Sequence, residues 1–224
     1  SAYGLFKRID YFMQYPFSCL PKTYGQIETT MSPARLARFS RAAKGDKHLA
    51  LRLYVWNARI CESLYFPMQV AEVTARNAIS KPVQVRFGKE WYVNPKFFNL
   101  LPERQKDTLT SSLRKERDKR GGYLNQDHVI AGLPFGFWVH LMTRSYDKQL
   151  WATGVSGSFP NCGNRKREDI YRMLDKLRNF RNDIAHHFAV FDRHPQAQYQ
   201  NALMITEIAC PETHWMMTEV SRVS

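Results

Sequence analysis

Apolar residues in this 224-residue chain recur at three- and four-residue steps, and no stretch shows a convincing two-residue alternation of a half-buried strand. Leu49, Leu53, Trp56, Ile60 and Leu64 keep that spacing, and so do Met173, Leu174, Leu177, Phe180 and Ile184. At about 100° per residue each set closes into a stripe along one side of a helix. Such stripes are buried helix against helix, so the expected fold class is all-α. Apolar residues make up 44% of the chain, enough for a sizeable core.

Breakers and caps place the helices along the chain. Ser32-Pro33 opens one, with Ser as N-cap and Pro at the first helical position. Gly45-Asp46 ends it. A second helix is expected over 47–66 and a third over 68–87, with Pro67 between them, Pro82 kinking or splitting the latter, and Gly88 closing it. Residues 88–102 read as a connector with aromatic packing. A charged helix with seven basic and four acidic residues follows from Pro102 to about Arg120, stopped by Gly121-Gly122. The segment from Gly132 to Trp138 leads into an apolar helix reaching about Trp151. A loop covers 153–164, a long amphipathic helix 165–188, and one more helix lies around 197–209. Residues 1–31, with Pro16 and Pro21 as breakers, read as a short helical or extended arm ahead of a helical domain, 32–224.

Lys and Arg number 33 against 20 Asp and Glu, a net charge of +13. A polyanion partner follows, because basic surfaces neutralise phosphates and release counterions. Arg35, Arg38, Arg41 and Lys44 stand at three-residue steps; a solvated face and an RNA contact are both open to them. Arg165, Lys166, Arg167 and Arg178, on or just before the long amphipathic helix, are further RNA-binding candidates. Cys19, Cys61, Cys162 and Cys210 are scattered and form no C-x-x-C pair, which points to reduced thiols in a cytoplasm and to neither a zinc site nor a disulfide framework. No apolar run approaches the length of a membrane span, so no membrane partner is expected.

The chemistry concentrates in Arg181-Asn182-Asp183-Ile184-Ala185-His186-His187. Beside the apolar stripe of its helix lies a polar arc that holds Arg181, Arg178, Asp175, Asn182 and His186. Arg181 and His186 are five residues apart, about 140° on an ideal helix, whereas Asn182 and His186 are i,i+4 neighbours. A long Arg side chain reaching across, or the same helix of a second subunit, would bring the two to one phosphate. Attack of a ribose 2′-hydroxyl on its adjacent phosphate needs a proton moved and a crowded negative charge stabilised. Histidines titrate near neutrality and move protons; arginines stay charged and grip phosphate oxygens in a fork. This scheme needs no metal or other cofactor, and the acidic residues show no ligand cluster.

Arg181-Asn182-x-Ile184-Ala185-His186-His187 resembles the Arg-x4-His motif of HEPN-domain ribonucleases, and the wider chain resembles the Abi-like proteins, which include AbiD and AbiF of bacterial abortive infection. Ser32-Pro33-Ala34-Arg35-Leu36, Gly45-Asp46 and Ala50-Leu51-Arg52-Leu53-Tyr54-Val55-Trp56-Asn57 are similar to that family's N-terminal signature. Glu72-Val73-Thr74-Ala75-Arg76-Asn77-Ala78-Ile79 is similar to its Glu-x3-Arg-Asn helix, and Phe135-Gly136-Phe137-Trp138 to its aromatic segment, so the resemblance covers about 32–192.

The resemblance implies a HEPN-type helical bundle with an N-terminal helical extension. It implies a metal-independent endoribonuclease toxin of antiviral defence, with a composite active site across a homodimer; RNA-guided nucleases with paired HEPN domains carry a related motif. Arg181 and His186 would be catalytic, and Asn182 would orient the Arg or the substrate. Glu72 and Arg76, one turn apart, are open to two roles: a structural ion pair bracing the bundle, or a support for the motif helix. Asn77 is open in the same way, and His187 is a supporting candidate. A restraining small RNA would make the pair a toxin-antitoxin system. The alternative is a HEPN protein that binds a structured non-coding RNA without cutting it.

Overall fold

The computed structural model describes residues 20–221. Its elements are α1 (Pro21–Met31), α2 (Pro33–Ala42), α3 (Lys47–Phe87), α4 (Pro95–Leu100), α5 (Glu103–Lys119), α6 (Gln126–Gly132), α7 (Phe135–His140), α8 (Asp147–Leu150), α9 (Arg167–Ala185), α10 (Pro195–Ala209) and α11 (Pro211–Val220). Single 3-10 turns cover Trp91–Val93 and Arg144–Tyr146, and there is no strand among the described residues. The fold is all-α. Among the described residues no helix is long and apolar enough to cross a membrane. The chain forms two compact units: one runs up to Met68 and takes in Asn179–Gln200 and the end from Glu219; the other comprises Gln69–Arg178 and Asn201–Thr218.

Of the arm expected over 1–31, residues 1–19 lie outside the described residues, and the rest takes the helical of the two expected forms as α1. Pro21 does not break structure; it occupies the first turn of α1, where its missing N–H costs no helical bond. Tyr24 of α1 is buried against Leu36 and Leu51, with Ile27 and Tyr54 packed beside them. Residues 20–31 therefore belong to a helical core. A second cluster joins Phe39, Ala43, Ala50 and Ala189, lined by Leu49, Leu53, Tyr54 and Phe191. The Ser32 hydroxyl caps α2 by accepting from Arg35 N at 3.3 Å. Lys44 and Gly45, both at positive φ, reverse the chain. Asp46 Oδ1 then accepts from Leu49 N at 2.9 Å and starts α3.

The predicted interruption at Pro67 does not occur, and Pro82 does not split the helix: α3 runs unbroken from Lys47 to Phe87. Each proline removes one N–H and leaves the carbonyl four residues earlier without its helical donor, a cost of about 3 kcal/mol in an exposed helix. Burial of Leu64, Met68, Ala71, Ala75, Ala78, Ile79 and Val83 along the same helix outweighs that local cost. The boundary between the two units falls one residue beyond Pro67. Gly88, at φ 82°, closes the helix as expected.

In the second unit, the segment expected to be a connector with aromatic packing carries fully buried rings. Trp91 is fully buried, with its ring 5.6 Å from Trp138 and 5.3 Å from Phe97, both edge-on. Edge-to-face contacts of this kind suit the positive rim and negative face of aromatic rings. The apolar helix expected to reach Trp151 is broken into α7, a 3-10 turn and α8, and Trp151 Nε1 donates to Leu141 O at 2.8 Å across the break. Two further helices, α6 and α11, carry too short or too mixed an apolar pattern to be read from spacing. The charged α5 forms as expected and ends at Gly121 and Gly122, both at positive φ.

Glu116 of α5 is a buried carboxylate in this unit. Lys119 Nζ donates to it at 3.0 Å, and Arg120 pairs with its other oxygen. Gly132 makes room for it: a Cβ there would lie 2.5 Å from Glu116 Cγ. The hydrogen bond from Lys119, with the charge of Arg120 adding to it, holds the carboxyl below the usual glutamate range. A carboxyl ionised more readily in the folded than in the unfolded chain stabilises the fold fully above the unfolded value of about 4.3, and that stabilisation is lost as pH falls through the lower folded value. Glu116→Gln should therefore lower the urea midpoint at pH 7, and the gap to wild type should narrow on acidification to pH 3.

Candidate functional site: the turn after the Arg–His helix

Helix α9 forms because Ile170, Leu174, Leu177, Phe180 and Ile184 make a buried stripe and Glu168 and Asp169 sit in its first turn, where a negative charge suits the helix dipole. Asp169 also accepts from Lys166 N at 2.9 Å at the start of the helix. The helix does not continue to 188. It stops at Ala185, and both histidines of the motif lie in the turn beyond it.

The turn has a defined geometry. His186 N still donates to Asn182 O at 2.9 Å, so His186 is the half-helical residue at the C-cap. His187 has φ 57°, the left-handed conformation usually given to glycine at the next position. His187 N donates to Ile184 O at 3.0 Å and Phe188 N to Asp183 O at 2.8 Å. These are the two crossed bonds of a Schellman stop, and they satisfy carbonyls that the helix end would otherwise orphan. The 140° expected between Arg181 and His186 thus applies to a helix that ends between them: Arg181 is half-buried on the helix, and His186 is exposed where it ends.

Three side chains from outside the helix hold this turn. Arg35 Nη1 donates to His187 O at 2.9 Å and to His186 O at 3.4 Å. A cation there also answers the negative end of the helix dipole. Arg38 forks onto Asp192, with Nη2 2.7 Å from Oδ1 and Nε 3.2 Å from Oδ2. Asn57, only 5% exposed, accepts from Val190 N at 2.7 Å and Phe191 N at 3.1 Å, and donates to Phe188 O at 3.3 Å. Its Nδ2 also lies 3.9 Å from Cys61 Sγ, a thiol that burial pushes up to about 11 and so keeps neutral. Arg193 pairs with Asp183 of the motif.

The candidate residues divide between the two units. Arg181, Asn182, His186 and His187 share the first unit with Arg35, Arg38, Arg41 and Lys44. Arg35 and Arg38, read from sequence as a solvated or RNA-contacting face, are bonded to the turn; Arg41 and Lys44 are exposed. Glu72, Arg76, Asn77, Arg165, Lys166, Arg167 and Arg178 belong to the second unit. There Arg76 Nη1 reaches Ala131 O at 3.4 Å, a long bond. Arg165 donates to Cys162 O at 3.2 Å, Arg167 braces Asp147 and the Met142 carbonyl, and Arg178 pairs with Asp175 at 2.7 Å. Lys166 and Asn77 are exposed.

Asn57 was not among the site candidates, although it stands four residues after Leu53 and three before Ile60, on the apolar stripe of α3. A lone amide on an apolar stripe is the signal that it serves buried backbone groups. Phe188, half exposed beside the motif, was missed as well; its ring centroid is 6.0 Å from that of His186. Among the described residues no group of three or more His, Cys, Asp or Glu side chains is disposed to hold a metal ion.

Asn57→Ala leaves two N–H groups and a carbonyl without their partner, so it should cost about 3 kcal/mol, seen as a lower urea midpoint. His187→Gly should act in the opposite direction. Relief of the left-handed backbone, less the entropy of the added glycine, should raise stability by about 0.5–1 kcal/mol in the same measurement.

No family model, curated protein or solved structure matches the chain.

Proposed function

We propose that the chain is a metal-independent endoribonuclease of the HEPN type, acting as a toxin in bacterial abortive infection. The observation that carries this reading is the exposed imidazole of His186, held on a turn fixed from outside by Arg35 and Asn57, five residues after the half-buried Arg181. A proton-transfer group needs an accessible ring on a backbone that does not drift. An arginine whose guanidinium stays charged suits the doubly charged phosphorane-like transition state.

In this scheme His186 moves the proton between the ribose 2′-hydroxyl, which attacks the adjacent phosphorus, and the departing 5′-oxygen. Arg181 holds the non-bridging oxygens, and Asn182 orients the Arg or the strand. The P–O5′ bond breaks, leaving a 2′,3′-cyclic phosphate and a 5′-hydroxyl. The exposure of His186 and Asn182 suits a composite site in which two motif helices of a homodimer face one phosphate. A bound small structured RNA would restrain it, consistent with the net charge of +13.

The test is RNA cleavage by purified wild type, His186→Ala and Arg181→Ala in EDTA. Each variant should lose at least about 100-fold in rate with an unchanged thermal midpoint, and the wild-type products should carry cyclic phosphates. Cleavage retained by both variants overturns the reading. Tight, salt-sensitive RNA binding with no cleavage by wild type favours the non-cleaving alternative instead.

A further inference from the structure

Beside the motif turn, within the first unit, lies a cavity of about 460 Å³ bounded by the start of α2 and the segment after α9. That size is within the range of small-ligand sites. On one side stand Arg35, Arg38 and Phe39; on the other stand His187, Phe188 and Arg193. The site thus combines an apolar ring, 49% exposed, with the guanidinium of Arg35, while Arg38 and Arg193 are paired with Asp192 and with Asp183, which also lines the cavity. Phe188 joins it to the motif, since its ring is a direct neighbour of His186.

We infer that this cavity is a nucleotide subsite for single-stranded RNA, in which a base stacks on Phe188 and its phosphate is gripped by Arg35. Every base has a flat π-face, so an exposed phenyl ring receives it irrespective of sequence, and arginine forks match phosphate oxygens. A purely apolar ligand would leave the charge of Arg35 unanswered, and a bare phosphate would leave the ring uncovered. Arg35 makes its bonds to the turn through Nη1 and to carbonyl oxygens, which do not cancel its charge. A base on Phe188 sets the neighbouring phosphate of the strand at His186, so the subsite fixes which bond the motif meets. This last point rests on the ribonuclease reading; the binding itself does not.

The subsite is tested by fluorescence anisotropy with a labelled ten-nucleotide single-stranded RNA, 2′-O-methylated so that it cannot be cut. Wild type, His186→Ala, Phe188→Ala and Phe188→Tyr are compared, with thermal midpoints taken alongside. Phe188→Ala should weaken binding roughly tenfold, the scale of one lost base stack, while Phe188→Tyr, which keeps the ring, binds like wild type. A free 5′-mononucleotide should compete, and inorganic phosphate at the same concentration should not. Wild type that fails to bind the RNA, folded Phe188→Ala that binds as tightly as wild type, or equal competition by phosphate overturns the subsite. Phe188-dependent binding by a protein that cuts no RNA overturns only the ribonuclease reading, and cleavage at an unchanged position in Phe188→Ala overturns the role of the subsite in choosing the bond.

Discussion

The side-chain amide of Asn57 holds the part of the chain on which the candidate chemistry depends. After α9 ends, residues 188–191 run without helix, and their backbone groups need partners. Asn57 supplies an acceptor and a donor from a single buried group, standing in for a missing strand or helix turn. With that segment fixed, Ala189 and Phe191 reach the Phe39 cluster, and the turn carrying both histidines has an anchored far end. The near end is anchored by the crossed bonds of the helix stop. Placement of His186 therefore follows from a residue more than a hundred positions earlier in the chain.

A histidine in a left-handed conformation at the stop is a local concession. Glycine is the low-strain residue there, and other residues cost about 1–2 kcal/mol. The bonds from Arg35 to the carbonyls of His186 and His187 work against that strain by fixing the same peptide units. What the chain keeps in exchange is an imidazole facing the cavity beside the motif. Strain of this kind, tolerated because surrounding bonds over-determine the backbone, is found at sites where the side chain is needed.

The sequence made the stripes, most caps and the glycine stops legible, because these depend on residues within one or two helical turns. Ser32, Asp46, Gly88 and Gly121-Gly122 all act where local chemistry puts them. Local pattern misleads where distant packing overrules local cost. Pro67 and Pro82 read as breakers, yet tertiary burial carries α3 through both. Aromatic packing was legible around Trp91, but its partners were not, since Trp138 among them is tens of residues away. At the site, the Arg–His pair was visible as spacing alone. The stop at Ala185 was not, since no glycine marks it and its stability comes from Arg35 and Asn57.

Charge shows the same division between what composition gives and what folding does with it. A net +13 suggests a basic surface, but arginines paired with carboxylates contribute little field. Arg38 is matched by Asp192, Arg193 by Asp183 and Arg178 by Asp175. Arg35 differs in kind, because the oxygens it binds are carbonyls. The end of a helix presents roughly half a negative charge, against the full positive charge of a guanidinium, so a positive remainder persists beside the turn. That remainder lies next to His187 and Phe188 in the cavity wall. Of the four residues read from sequence as a basic stripe, the one with the strongest claim on a phosphate is thus the one that also stops the motif helix.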